Sequence, residues 1–146
     1  IACCLVGSEM CIRDRISTPQ IVALADARKG VSMYQQDNIN IPVLGIVENM
    51  AYYKTENDNV KHYIFGKDGA KNLAEDFKIP FLGEIPIIQQ IRESADVGRP
   101  LAVDDDSDVA LIYNEITKKM IKFLVERNKN LPPTEILKIK TMAGCQ

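Results

Sequence analysis

A chain of 146 residues, 46% hydrophobic and 26% charged, is long enough for one domain with its own core and too apolar for a disordered or fibrous chain. Its formal net charge of −2 excludes a global basic field that would draw it to nucleic acid or to an anionic membrane, although a local nucleotide site needs no such field. No apolar run approaches the roughly 18 residues that a membrane-crossing helix requires, and nothing reads as a targeting segment.

Cysteine usage points to a reducing compartment, the cytoplasm. Cys3, Cys4 and Cys11 crowd one end, Cys145 lies at the other, and no pair has the C-x-x-C spacing of a redox or metal site. The segment holding the first three, Ile1 to Arg15 (IACCLVGSEMCIRDR), has neither helical nor strand periodicity. It resembles translated sequencing-adapter read-through, and residues 1–15 are therefore set apart from the fold; the alternative is a real but poorly patterned N-terminal arm.

From Ile16 onward strands and helices alternate. Ile16 to Thr18 reads as the stump of a strand, and Thr18-Pro19 as the N-cap and first position of a helix. Ile21, Leu24, Ala27 or Arg28, Val31 and Tyr34 give that helix one buried face, with Gly30 a point where its end frays. Pro42 to Glu48 is an apolar run of the kind covered on both faces, followed by a long polar loop from Asn49 to about His62. Tyr63 to Phe65 is a candidate extended piece, and Asp68 is placed as the cap of a helix carrying Ala70, Leu73, Ala74 and Phe77.

Phe81 to Ile85 reads as the next buried strand, and Ile88, Ile91 and Ala95 share a helix face that Gly98 and Pro100 end. The last helix is acidic at its start (Asp104, Asp105, Asp106, Asp108) and basic in its second half (Lys118, Lys119, Lys122, Arg127), which suits the helix dipole. Pro132-Pro133 stops it, leaving residues 131–146 as a tail. The expectation for 16–130 is an α/β fold: a partial parallel sheet with flanking helices.

Open parallel sheets bind ligands beyond the carboxyl ends of their strands, where Ser17-Thr18-Pro19-Gln20, Glu48-Asn49-Met50 and Ile85-Pro86-Ile87 fall. An Asn side chain offers an acceptor and two donors in one plane, the complement of adenine's amino group and N7. Asn is also a common turn former after strands, so chemistry alone leaves both readings of Asn49 open.

The runs STPQIVALADARKG, PVLGIVENM, FGKDGAKNLAEDFKIPFLGEIPI and IRESADVGRPLAV, in this order, resemble the C-terminal half of Mrp/ApbC ATPases, MinD/ParA-like P-loop NTPases implicated in iron–sulfur cluster carriage. The resemblance covers roughly Ile16 to Leu124. It implies that Asn49 contacts adenine, that Pro86 begins a loop around the base with Ile87 beside it, and that Thr18 and Pro19 form the strand-to-helix turn near the nucleotide. It further implies ATP and Mg²⁺ as cofactors, a homodimer, and iron–sulfur client or scaffold proteins as partners. Asp26 and Arg28 would have a structural or dimer-face role, and Arg92, Glu93 and Asp96 are family-like but equally a solvated helix face.

Two departures qualify this. No G-x-x-x-x-G-K-[ST] run is present, so these residues alone lack a phosphate cradle and are not expected to hydrolyse ATP. The loop AYYKTENDNVKHYI has no Cys where many relatives place a C-x-x-C pair, so cluster ligands are not evident; His62 and Cys145 read as a surface side chain and an ordinary thiol. The competing functions are a MinD/ParA-like positioning ATPase, disfavoured by the lack of a basic amphipathic tail helix, and a non-catalytic α/β interaction module.

Overall fold

A computed structural model describes residues 13–37, 39–55, 60–103 and 107–131. The elements are β1 (Arg13–Ser17), α1 (Ile21–Tyr34), β2 (Val43–Lys54), β3 (Lys61–His62), α2 (Gly69–Asp76), β4 (Phe81–Ile87), α3 (Gln89–Asp96) and α4 (Asp108–Asn130), with a short 3-10 turn at Leu101–Val103 between the last two. β2 is the centre of the sheet. It pairs in parallel with β1 (Ser17 opposite Glu48) and with β4 (Glu48 opposite Glu84), so these two strands occupy its two edges. β3 pairs antiparallel at Tyr53 and Lys54. Tyr53 also pairs with Ile87 of β4, which places β3 on the β1 edge, beyond the end of β1.

Successive strand residues point to opposite faces, and the core divides accordingly. Ile46 packs with Ala27, Val31, Ala70, Leu73 and Ala74 under α1 and α2. Its neighbour Val47 packs with Leu82 and Ile85 under α4, whose Ile112, Ile116, Met120 and Phe123 close over them. The result is a helix–sheet–helix sandwich, the α/β class expected from the alternation of elements.

Several local expectations are corrected. β1 begins at Arg13, so Arg13–Arg15 of the segment set apart lie in a strand; residues 1–12 are outside the described residues. Helix α1 starts at Ile21 with Gln20 at the cap and no side-chain capping bond, because Thr18 Oγ1 bonds Gln20 Oε1 instead (3.4 Å). The helix runs through Gly30 without fraying, where the absent Cβ leaves room for the Arg15 guanidinium. The extended piece expected at Tyr63–Phe65 is β3, two residues earlier. Asp68 occupies the cap position of α2 but in the left-handed region (φ 56°), from which its side chain makes no capping bond. α4 is capped by Ser107, whose Oγ accepts the Ala110 N–H at 3.0 Å. Asp104–Asp106 and the tail from Pro132 lie outside the described residues.

Candidate functional site

The largest correction falls on the site itself. β2 does not stop at Glu48; it runs 12 residues to Lys54, so Asn49 lies inside a strand and not at its end. Pro86 likewise lies within β4 and is buried, and Ile87 is paired with Tyr53. The strand is nevertheless broken in two ways around Asn49. On the β4 edge, Asn49 opposes Ile85 and Tyr53 opposes Ile87, so four steps along β2 match two along β4, a bulge. On the β1 edge, pairing ends at Ser17 opposite Glu48 and resumes only at His62 opposite Tyr53. Within the bulge Met50 sits at φ 55°, a conformation that costs a non-glycine residue roughly 1–2 kcal/mol. Asn49 Oδ1 accepts the Met50 N–H at 2.9 Å, which supports that turn and still leaves one lone pair and the amide NH₂.

Asn49 and Thr18 line one open cleft of about 490 Å³, together with Asp14, Arg15, Ile16, Ser17, Ala23, Asp26 and Ala27. Five consecutive residues of β1 and its turn form one wall, so the cleft runs along the strand's outer edge, beneath α1. The structure therefore brings together Thr18 and Asn49 of the five candidate residues. Pro86 and Ile87 stand across β2 on the other edge, and Pro19 is buried beneath the turn that leads into α2. There Gly69 is required: a Cβ on it would lie 2.9 Å from the Pro19 carbonyl oxygen and 2.7 Å from Leu24 Cδ1.

The residue that sequence reading passed over is Glu48. It is 1% exposed, on the same face of β2 as Ile46, and its Oε2 accepts the Ala70 N–H at 2.5 Å. The Lys71 N–H is a second backbone donor. Burial raises its pKa above the ordinary 4.5; these two hydrogen bonds oppose the shift, and the charges of Glu84 and Asp68 add to it. Glu84, its neighbour across the ladder, is itself paired with Lys61 (3.5 Å), which also lies 3.9 Å over the Tyr52 ring. The signal was present in sequence: an acid two positions after Ile46 in an apolar strand lands on the buried face and must find donors there. One consequence is that these N-terminal amides of α2, which could otherwise attract a phosphate, already hold a carboxylate.

The remaining candidates are surface features. Arg28 pairs with Asp76 (2.6 Å) and Asp26 with Lys29 (3.6 Å), all more than half exposed. Arg92 bridges Glu93 and Asp96 along α3. His62 Nε2 lies 3.1 Å from Thr55 Oγ1. Among the described residues no group of three or more His, Cys, Asp or Glu is placed to hold a metal ion, and no helix is long and apolar enough to cross a membrane.

Set against known proteins, residues 9–121 match the ParA family in the form described as NUBPL iron-transfer P-loop NTPase, a match that begins inside the segment set apart. The iron-sulfur cluster transfer protein NUBPL of Dictyostelium discoideum is 47% identical over 110 residues, 75% of this chain and 33% of that protein. The iron-sulfur cluster carrier protein of Pseudomonas fragi is 45% identical over 102 residues, 69% of this chain and 35% of that protein. The cell division ATPase MinD of Pyrococcus furiosus matches with a TM-score of 0.53 at 22% identity, over 75% of this chain and 42% of that chain, a likeness of fold. The chain thus spans about a third of the length of the curated relatives it matches.

Proposed function

The chain belongs to the ParA-type family of NUBPL iron-transfer P-loop NTPases, and from that premise we propose that it is the base-facing, C-terminal part of an ATP-binding iron–sulfur cluster carrier. The observation that carries this reading is the double break in β2 at Asn49: a bulge on one edge and a gap in pairing on the other, beside the cleft that Thr18 also lines. Bulges of this kind re-aim side chains next to active sites, and Asn49 keeps the donors and the acceptor lone pair that adenine's edge requires.

In this reading Asn49 pairs with adenine and Thr18 and Pro19 shape the turn beside the nucleotide, while Pro86 and Ile87, on the opposite edge of β2, are given no contact with the base. The phosphates and Mg²⁺ do not fit the residues present. No G-x-x-x-x-G-K-[ST] run exists among the 146, and the N-terminal amides of α2 are engaged by Glu48. They are assigned to a phosphate-binding half outside these residues, and no hydrolytic step is assigned to the chain itself. Residues 131–146 are read as the tail of the domain. The cluster is cargo passed to client or scaffold proteins by a cytoplasmic homodimer, through thiolates not evident in this chain.

The test uses the full-length protein that carries this chain. ATP and GTP binding with Mg²⁺ is measured by calorimetry, and transfer of a reconstituted cluster to an apo-acceptor by absorbance. The reading expects ATP binding and cluster transfer. A protein that binds neither nucleotide, or that binds ATP yet never passes a cluster on, overturns it.

A further inference from the structure

Helix α2 needs an acceptor for its first amides, and its own sequence does not supply one: Asp68, in the left-handed region, makes no capping bond. The acceptor comes from 22 positions earlier in the chain, where the buried Glu48 carboxylate takes the Ala70 N–H. Three parts of the candidate site converge on this one residue. Ser17, the last residue of β1, is its ladder partner. Asn49, at the start of the bulge, is its neighbour in sequence. The turn into α2 carries Gly66 and Gly69, which rest on Pro19: a Cβ would approach the Pro19 oxygen to 3.4 Å from Gly66 and 2.9 Å from Gly69.

We propose that Glu48 is the positioning residue of this site: by tying the first turn of α2 to β2, its carboxylate presses Gly69 against Pro19 and so sets where Thr18 and Asn49 stand. The tie depends on reach. Aspartate, one methylene shorter, falls short by roughly 1.5 Å. Glutamine keeps the length and a carbonyl acceptor while losing the charge. Glu48 touches no ligand in this scheme and acts through the two turns it holds. Only the nucleotide readout below rests on the base-facing reading of Asn49.

The experiment compares Glu48→Gln, Glu48→Asp and Glu48→Ala in the full-length protein by hydrogen exchange and by the ratio of ATP to GTP affinity. Glu48→Gln is expected to match the wild type in both. Glu48→Asp and Glu48→Ala are expected to speed exchange about tenfold in residues 17–20, 49–52 and 69–72 together, leave α4 protected and lower the ATP:GTP ratio. Faster exchange confined to 69–72 would reduce Glu48 to a helix cap and overturn the proposal. So would loss of protection throughout α4, which makes Glu48 a residue of the whole fold, or a Glu48→Gln protein that behaves like Glu48→Ala, which makes charge and not reach decisive. If the wild type itself does not prefer ATP, the base-facing reading fails, while the exchange pattern still decides the role of Glu48.

Discussion

Glu48, in the middle of β2, accepts the backbone N–H of Ala70 at 2.5 Å and so caps a helix that begins 21 residues later in the chain. The carboxylate is almost fully buried, and burial raises its pKa above 4.5 despite the amides that favour its charged form. The folded chain therefore holds this proton more tightly than the unfolded chain does.

The sign of the pH dependence follows. Through this group the fold is most stable below 4.5, where both states are protonated, and loses that contribution as pH rises through the raised folded pKa. Other carboxylates act in the opposite sense, so the informative quantity is the difference between wild type and Glu48→Gln. Urea unfolding at a series of pH values from 4.5 upward is expected to show the variant gaining stability relative to the wild type as pH rises. A difference independent of pH would mean that Glu48 is not held in the buried state seen here.

Met50 is strained at φ 55° and 43% exposed, so its backbone is costly and its side chain expendable. Met50→Gly is expected to be neutral or to stabilise by up to about 1 kcal/mol, because glycine visits this region freely. Met50→Val, β-branched, is expected to cost about 1–2 kcal/mol. Thermal unfolding of the pair checks this, and equal effects would mean that the bulge is not built on a left-handed residue.

Core and surface contacts of the α1–α2 layer should separate clearly. Ile46 is 0% exposed beneath both helices, and Ile46→Ala is expected to cost about 2–5 kcal/mol. The Arg28–Asp76 pair joins the same two helices at 2.6 Å, but its side chains are 53% and 55% exposed. Solvent screening limits Arg28→Ala to less than about 1 kcal/mol, including its place over the Phe77 ring. Denaturant midpoints of the two variants test the ordering.

What was legible in the sequence was what is local. The stripes of α2 and α4 and the apolar cores of β2 and β4 appear as periodicity, and their alternation gave the α/β class; the stripe of α1 holds at Ala27, Val31 and Tyr34, whereas Ile21, expected on the same buried face, is 86% exposed. The extension of β2 through Asn49–Lys54 was not legible, because a polar and aromatic stretch becomes a strand only when β3 and the end of β4 pair with it. Asp68 was misread for a related reason: a cap is recognised by residue type, whereas capping needs an extended backbone that Asp68 lacks. Pro86 suggested a loop, yet Pro is tolerated in a strand where no ladder donor is needed, and the ladder here passes through Ile85 and Ile87. Thr18 and Asn49 were named from sequence and share a cleft; Glu48 was overlooked because its partners lie across the fold.

The most direct test of the account is the base preference of the full-length protein with and without the Asn49 side chain. The expected result is that the wild type binds ATP more tightly than GTP and that Asn49→Ala shrinks this preference by about tenfold, since a paired base edge contributes roughly 1–3 kcal/mol of discrimination. Equal ATP affinity and equal base preference in the two proteins would contradict it.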